Sequence, residues 1–465
     1  MNIIDLKNKR VTVMGLGLHG GGAGTVRFLS EAGARVTVTD LKTKEELAPT
    51  LEKLKDLKNV KYVFSQHRPE DFTNTDMVIK TPPAPWNNKQ IKLALEKKIP
   101  VEIDSSLFFK LCKNQIIGVT GTKGKTTTAT LIYEILRVAG KNPVKVGIGQ
   151  TSVLDKLKDL KKDSIVVFEL SSWRLSALGR DKISPQISVI TNIFPDHLNY
   201  YKSMNEYVAD KKNIFLSQKK ENICVINNDN EIIESFEGEI TSQIIRFSKN
   251  KISNGKSVYL DNDAIYFNNG LDEKKIINIG DIKLKGAHNI ENIMAALAVA
   301  VTSGIKIETI QKATHEFLGV AHRLELVREI DGVKYVNDTS ATTPEAGAVA
   351  LNSFSEPIIL ICGGADKNLN MSQFAKEICV RAKGVVFLKG LATDKIISEM
   401  KKTDSCLSSQ KFEIVESMEK AVELARSVSK AGDVILLSPG AASFGLFVNE
   451  FDRGDRFRNI VGKLK

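Results

Sequence analysis

The stretch QIIGVTGTKGKTTTATLIYEIL, residues 115–136, decides the fold. A β-rich apolar run ends at Thr120, a glycine-containing turn follows, and an apolar-periodic helix begins near Thr126. Backbone N–H groups at such a helix start converge on phosphate oxygens, and the positive end of the helix dipole adds to their pull. In this frame Gly121, Thr122, Lys123, Gly124, Lys125, Thr126 and Thr127 are expected to cradle a nucleotide. Lys125 is placed to neutralise the terminal phosphates, and the Thr126 hydroxyl to ligate Mg²⁺. The generic phosphate loop puts a further glycine at position 119, where Val119 stands, so GTKGKTT is a variant of it.

Working outward, short Val/Ile runs alternate with helix-length segments: Val11–Met14, Arg35–Thr39, Met77–Lys80, Ile165–Glu169, Ile187–Asn192 and Ile223–Asn227. The series resumes with Val333–Asn337, Ile358–Cys362, Val385–Lys389 and Val434–Ser438. Continuous apolar runs in alternation with helices indicate parallel sheets covered on both faces. Ser257–Phe267, with Asn262-Asp263 inside it, and Ile276–Leu284 read instead as antiparallel hairpin strands. The expected fold class is α/β in three domains: Rossmann-like over residues 1–112, a central phosphate-loop domain over 113–320 with a parallel sheet plus a small antiparallel one, and Rossmann-like again over 321–465. The 465-residue length accommodates this, at roughly 100–200 residues per domain.

Ligands of open α/β sheets sit beyond the carboxyl ends of the strands. Glu169 ends the run SIVVFE, and His197 follows ISVITNIFPD. Both are therefore candidate metal or phosphate groups. A second glycine run, Gly15-Leu16-Gly17-Leu18-His19-Gly20, follows the first strand, and Asp40 ends RVTVTD. Alone it matches a dinucleotide fold, and so an oxidoreductase. Beside GTKGKTT it suggests instead an enzyme joining two phosphorylated ligands, because an oxidoreductase leaves the second turn without a task.

Composition removes other classes. Apolar residues make up 42% and charged residues 26%, as in ordinary globular chains. The net charge of +11 is lysine spread along the chain, without the concentrated basic stripe and interleaved aromatics of a nucleic-acid binder. No apolar run is long enough to span a membrane, and the first residues lack a secretory pattern, so the expectation is a cytoplasmic protein. The five scattered cysteines read as buried thiols in a reducing compartment.

GTKGKTT, FELSSWRL, NIFPDHLNYY, YVADKKNIF, GAHNIENIMAALAVA, HRLELV, NDTSATTPEA and LLSPGAASF occur in that order along the chain. Together they resemble the Mur ligase family. The GLGLHG turn points within it to the activity that joins D-glutamate to UDP-N-acetylmuramoyl-L-alanine in peptidoglycan precursor synthesis. The resemblance implies an ATP-dependent amide ligase acting through an acyl phosphate, with two Mg²⁺ ions, and the expectation is a monomer. It gives Lys125 and Thr126 to the phosphates and a first Mg²⁺, Glu169 to that ion, and His197 to the second. It places a carbamylated lysine at Lys211 in preference to Lys212. Asn289 and Asn292 are assigned to the adenine, Arg323 and Asp338 to the ATP and its ribose, and Leu18, His19 and Asp40 to the uridine nucleotide. Thr342, Lys367 and Ser443 are assigned to the incoming amino acid, with Ser443 read at a strand-to-helix turn. The chain departs from the common family pattern at Ser340, where many relatives carry lysine, and at Gly147, where an asparagine often contacts substrate. It departs again at Thr81-Pro82-Pro83 and at Glu450. These departures bear on the acceptor and the amino acid, and they leave open a ligase of this kind that uses L-glutamate or another amino acid.

Overall fold

The computed structural model describes residues 1–464 other than 19, 149–151, 197–199, 285, 367–368 and 403–411. Three sheets follow one another along the chain. The first holds β1 (Arg10–Met14), β2 (Arg35–Thr39), β3 (Val60–Val63), β4 (Met77–Lys80) and β5 (Val101–Glu102). All pair in parallel, in the order β3-β2-β1-β4-β5. The order reverses between β1 and β4, and a crevice opens at the carboxyl ends of those strands.

The second sheet holds β6 (Gln115–Thr120), β7 (Asn142–Val146), β8 (Ser164–Glu169), β9 (Ile187–Ile190), β10 (Ile223–Asn227) and β11 (Gln243–Ser248). It continues with β12 (Ser257–Asp261), β13 (Ala264–Asn268) and β14 (Glu273–Asn278), in the order β14-β13-β12-β11-β10-β9-β6-β8-β7. The β12–β13–β14 meander is antiparallel, and Asn262 takes a φ of 51° in its first turn. Two strands end two or more residues earlier than the sequence suggested. The run read as Ile276–Leu284 stops at Asn278 and passes into a 3₁₀ turn, Ile279–Asp281. The run read to Asn192 stops at Ile190, because the next residues turn toward the phosphate loop.

The third sheet holds β15 (Glu325–Ile330), β16 (Val333–Asn337), β17 (Ile358–Gly363), β18 (Ala382–Leu388), β19 (Phe412–Val415) and β20 (Val434–Leu437), ordered β15-β16-β20-β17-β18-β19. Only the β15–β16 pair is antiparallel.

The chain divides into two compact units, 1–317 and 318–465. In the first, one apolar core runs through both sheets, from Val11 and Val36 through Phe108 and Phe168 to Ile226. Lys158 reaches Glu31 at 2.5 Å and Arg174 reaches Asp104 at 3.2 Å, so polar ties reinforce that shared core. In the second unit every residue of β17 is buried, with apolar clusters on both faces of the sheet. Cys112, Cys224 and Cys362 are free thiols, whereas Cys379 is disulfide-bonded, which corrects the all-thiol expectation at that position. Among the described residues no helix is long and apolar enough to cross a membrane.

Candidate active site

β6 delivers the chain to Gly121, and the Lys125–Val138 helix begins after Gly124. No side chain caps that helix, so no capping oxygen competes with an anion for its first amides. The loop is held from behind. Thr122 N donates to Asn192 O at 2.8 Å, Lys123 N donates to Asn192 Oδ1 at 2.8 Å, and Thr191 Oγ1 donates to Lys123 O at 2.6 Å. Gly124 has a φ of 82°, and a Cβ there would stand 1.9 Å from Asn292 Oδ1, so only glycine permits this approach. Lys125 Nζ donates to Gly121 O and Thr122 O, both at 3.0 Å, which curls it over the loop. Thr126 is half-buried and Thr127 buried at the helix start.

Glu169 ends β8 in register with Val119 of β6, two residues before Gly121, and its charge acts on the Lys211 amine. Lys211 lies on the Met204–Lys212 helix and is 1% exposed. Its Nζ sits 2.8 Å from Gly121 O and 3.4 Å from Thr120 Oγ1, and 4.7 Å over the Tyr207 ring one helical turn earlier. Burial, reinforced by the neighbouring Lys125 cation, holds the Lys211 amine well below the ordinary lysine range. Lys212 faces the other way and pairs with Glu239. Next to Lys211, burial pushes the Asp210 carboxyl up to about 6, and Tyr201 OH donates to it at 3.0 Å.

The candidate donors, the Thr126 hydroxyl at the helix start and the Glu169 carboxylate at the end of β8, are hard oxygens of the kind Mg²⁺ takes in partial sets completed by phosphate and water. The residues present therefore fit a magnesium nucleotide. His197 lies outside the described residues, as do His19 and Lys367. Among the described residues no cluster of three or more His, Cys, Asp or Glu forms a metal cage by itself. On the Ala287–Thr302 helix, Asn292 is buried against Gly124 and donates to Asn289 Oδ1 at 3.3 Å, so both asparagines occupy one face above the loop.

The crevice between β1 and β4 is a cleft of about 550 Å³, lined by Gly15, Leu16, Gly17, Gly21, Gly22, Asp40, His67, Lys80 and Arg174 among others. Leu18 is exposed beside it. Asp40 binds the turn itself, because its Oδ2 accepts from Leu16 N at 2.8 Å and Gly17 N at 3.1 Å, and its Oδ1 from Lys42 N at 2.9 Å. His67 Nδ1 meets Thr39 Oγ1 at 2.7 Å, and burial lowers the His67 pKa, which favours the neutral ring.

In the second unit Asp338 follows β16 and is buried. Ser438 Oγ donates to its Oδ2 at 2.9 Å and Leu324 N to its Oδ1 at 3.1 Å, yet burial still pushes its carboxyl up to about 6. Arg323 is exposed and Thr342 half-buried. Ser443 is buried within the segment 438–449, which connects β20 to the helix Glu450–Lys463. An antiparallel bridge from Ala365 to Ala442 holds that segment over the sheet end.

Comparison with known proteins adds the following. The Mur ligase MurD-like N-terminal domain matches residues 9–102, the Mur ligase middle domain 119–300, and the Mur ligase glutamate ligase domain 322–440. The UDP-N-acetylmuramoylalanine–D-glutamate ligase of a Roseiflexus species is 40% identical, covering 98% of this chain and 99% of the relative. The enzyme of the same name from Clostridioides difficile is 38% identical over 99% and 100%. The chain belongs to the Mur ligase family. Solved structures share the fold at lower identity. The UDP-N-acetylmuramate-alanine ligase of Thermotoga maritima matches with a TM-score of 0.59 at 21% identity, over 98% of this chain and 100% of that one. A pseudomurein peptide ligase of Methanothermus fervidus matches with a TM-score of 0.53 at 20% identity over the same shares.

For a Mur ligase, several residues around these sites escaped the motif reading. Asn192 anchors the phosphate loop, but at the end of the run Ile187–Asn192 it reads as an ordinary strand-end residue. Tyr207 OH meets Thr122 Oγ1 at 3.2 Å, and burial pushes its phenol up to about 12. Arg453 is 0% exposed, with Nε on Thr339 Oγ1 at 2.9 Å, Nη2 on Thr339 O at 3.0 Å and Nη1 on Ala441 O at 3.2 Å. It ties the segment after β16 to the one after β20, and burial pulls its guanidinium down to about 9. It lies on the helix Glu450–Lys463, where arginine ordinarily faces water.

Proposed function

We propose that this chain joins D-glutamate to UDP-N-acetylmuramoyl-L-alanine, with ATP as the energy source, in peptidoglycan precursor synthesis. The observation that carries the reading is the meeting of Lys125, Glu169 and buried Lys211 around one phosphate loop, in a chain whose relatives of that name match it end to end. A free carboxylate is a poor electrophile. Transfer of the γ-phosphoryl group to the acceptor carboxylate breaks the bond to ADP and leaves an acyl phosphate. The amino group of the incoming amino acid then attacks the carbonyl carbon, phosphate departs with the bonding pair, and the nitrogen loses a proton as the amide forms.

The protein's own work in this scheme is positioning and charge compensation. Lys125 and the helix-start amides through Thr127 hold the phosphates, with Gly121, Thr122, Lys123 and Gly124 shaping the loop. Thr126 and Glu169 would hold one Mg²⁺ and His197 a second, and the metal would supply Lewis-acid neutralisation of the phosphoryl charge. Asn289 and Asn292 receive the adenine. Arg323 and Asp338 serve the ATP and its ribose, and Thr342, Lys367 and Ser443 the amino acid. Leu18 and His19 meet the uridine nucleotide, and Asp40 acts there chiefly by bracing the glycine turn. The depressed basicity of Lys211 supports its carbamylation: a neutral amine adds to CO₂ with loss of a proton, and the anionic carbamate is a metal ligand. The protein acts in the cytoplasm as a monomer.

One observation favours a second amino acid as a competing substrate. Ser340, in place of the lysine of many relatives, presents no cation, and its hydroxyl is spent on His322 O at 2.7 Å. The test supplies UDP-N-acetylmuramoyl-L-alanine, ATP and Mg²⁺ with a panel of D- and L-amino acids, and follows product mass and phosphate release. D-Glutamate is expected to give the product. Product with another amino acid alone overturns the substrate, and no amino-acid-dependent phosphate release overturns the ligase.

A further inference from the structure

The unit of residues 1–317 holds another cavity, of about 330 Å³, where elements of its two sheets meet. Its walls come from the loop after β4 (Trp86), the segment between the Lys89–Glu96 helix and β5 (Lys98, Ile99, Pro100), and the end of the Ser172–Arg180 helix. It shares no lining residue with the cleft between β1 and β4. The volume suits a fragment-sized molecule.

The charged side chains lining this cavity are Lys98, Glu102, Lys110, Arg180 and Asp181. Lys110 serves both carboxylates. It pairs with Glu102 and lies 2.9 Å from Asp181, while Ser106 Oγ donates to Glu102 at 2.6 Å. Two cations remain. Lys98 and Arg180 are exposed, and neither head group has an ion pair or hydrogen bond among the described residues. From outside the cavity Asp210 attracts Arg180 from beyond ion-pair distance, and Lys80 repels it. Positive charge is therefore in excess.

The Arg180 guanidinium is held in place by an aromatic ring, 4.1 Å from the centroid of Trp86. Trp86 is fixed from the same helix, because its Nε1 donates to Ser176 Oγ at 3.0 Å. A cation on an exposed ring is weakly held, whereas a guanidinium fork on a carboxylate or phosphate is stronger and directional. The Trp86 ring also stands 4.5 Å from Lys80 Nζ, which lines the acceptor cleft. One ring thus touches a cation of each cavity.

We propose that this cavity is an effector site for a small organic anion, its carboxylate or phosphate seated on Arg180 and Lys98 and its apolar body against Trp86, Ile99 and Pro100. An occupant draws Arg180 off the ring, and Trp86 passes that change to Lys80.

The test uses the full chain, with phenyl phosphate as the probe and calorimetry as the readout of its Kd. Inorganic phosphate and benzyl alcohol, the head and the body alone, are each expected to bind at least about tenfold more weakly. Arg180→Gln is expected to raise the phenyl phosphate Kd about tenfold and Lys98→Gln about threefold; both positions are exposed, so the fold tolerates the change. In a Trp173→Phe background, where Trp86 is the only tryptophan, the probe is expected to shift its emission saturably. Excess UDP, or ATP with Mg²⁺, is expected to leave the Kd within twofold. Competition by either, with no response to Lys98→Gln, puts the probe in a substrate site and overturns the proposal. So does a Kd within 1.5-fold of the parent in both variants, or inorganic phosphate binding as tightly as the probe. The effector role rests on the ligase reading above: phenyl phosphate is expected to change the acceptor KM at least twofold, with the KM for ATP unmoved and the effect lost in Lys98→Gln. An unmoved acceptor KM overturns the effector role. Absence of any turnover by the unaltered enzyme instead fails the ligase reading, and the calorimetry still decides the site.

Discussion

Gly124→Ala isolates a close approach between two segments far apart in the chain. The residue has a φ of 82°, which costs an alanine about 1–2 kcal/mol. The added Cβ would stand 1.9 Å from Asn292 Oδ1, a contact that must be relieved by moving the asparagine. Asn292 is buried and donates to Asn289 Oδ1 at 3.3 Å, so displacing it forfeits that bond and strands a buried amide, for about 1–2 kcal/mol more. The sum is about 2–4 kcal/mol. Gly140→Ala is the control: its φ of 70° is similar, but nothing lies within 4 Å of its Cβ position, so it carries only the backbone cost. Denaturant unfolding followed by tryptophan fluorescence reads the right unit, because the only two tryptophans, Trp86 and Trp173, both lie in residues 1–317. Gly124→Ala is expected to lose about 1–2 kcal/mol more than Gly140→Ala and to weaken ATP binding, which the control leaves intact. In an Asn292→Ala background the excess is expected to vanish. Equal losses in the two alanine variants, or strict additivity with Asn292→Ala, would refute the steric argument.

Three further outcomes follow from charged groups. Asp40→Ala leaves the amides of Leu16, Gly17 and Lys42 without their acceptor, and is expected to cost about 2–4 kcal/mol in the same fluorescence assay and to raise the acceptor KM; a change below about 0.5 kcal/mol would remove Asp40 as the brace of the turn. Asp338 has a folded pKa of about 6 against roughly 3.9 unfolded, so between these values the folded state binds more protons and stability falls as pH rises. Asp338→Asn is expected to abolish that slope and to gain at most about 3 kcal/mol above pH 6 by calorimetry while ligase turnover is lost; a slope that persists means another group causes it. Arg453→Lys gives up a three-bond fork on Thr339 and Ala441 and is expected to cost about 2–4 kcal/mol, with a normal Tm as the contrary result.

What the sequence revealed of the fold tracks position within each sheet. Interior strands such as β6, β17 and β20 are continuous apolar runs, because both faces are covered. The unrecognised strands β3, β5, β7, β15 and β19 all lie at sheet edges, where one side lacks a partner and polar residues intrude. β7, which reads NPVKV, even carries a proline near its start, as an edge permits. β11 is the exception, an interior strand whose QIIRFS pattern is only partly buried. The phosphate loop was legible because strand, turn and helix are contiguous. Choosing Lys211 over Lys212 needed the family resemblance, because which of two adjacent helical residues faces the loop is fixed by packing and not by local spacing.

The same limit explains why Lys80, Asn192, Arg174 and Arg453 stayed hidden. A lysine at a strand end or an arginine on a helix is ordinarily solvated, and nothing local marks it as buried. Once burial is known, the argument reverses. Lys80 and Lys211 are each 1% exposed and are hydrogen-bonded only to carbonyl and hydroxyl oxygens. An ammonium so placed destabilises the fold, so packing alone does not account for its being there. Lys80 lines the cleft where an anionic acceptor is expected, and Lys211 touches the loop where phosphate is expected. Carboxylates nearby, Asp104 and Asp210 for Lys80 and Asp196, Asp210 and Glu169 for Lys211, offset burial only in part, and in the proposed function the ligand, or CO₂ in the case of Lys211, would supply the rest. It follows that replacing Lys80 with methionine should leave the ligand-free protein as stable as before or more so, while acceptor binding falls. Opposite signs for the two quantities distinguish a binding residue from a structural one.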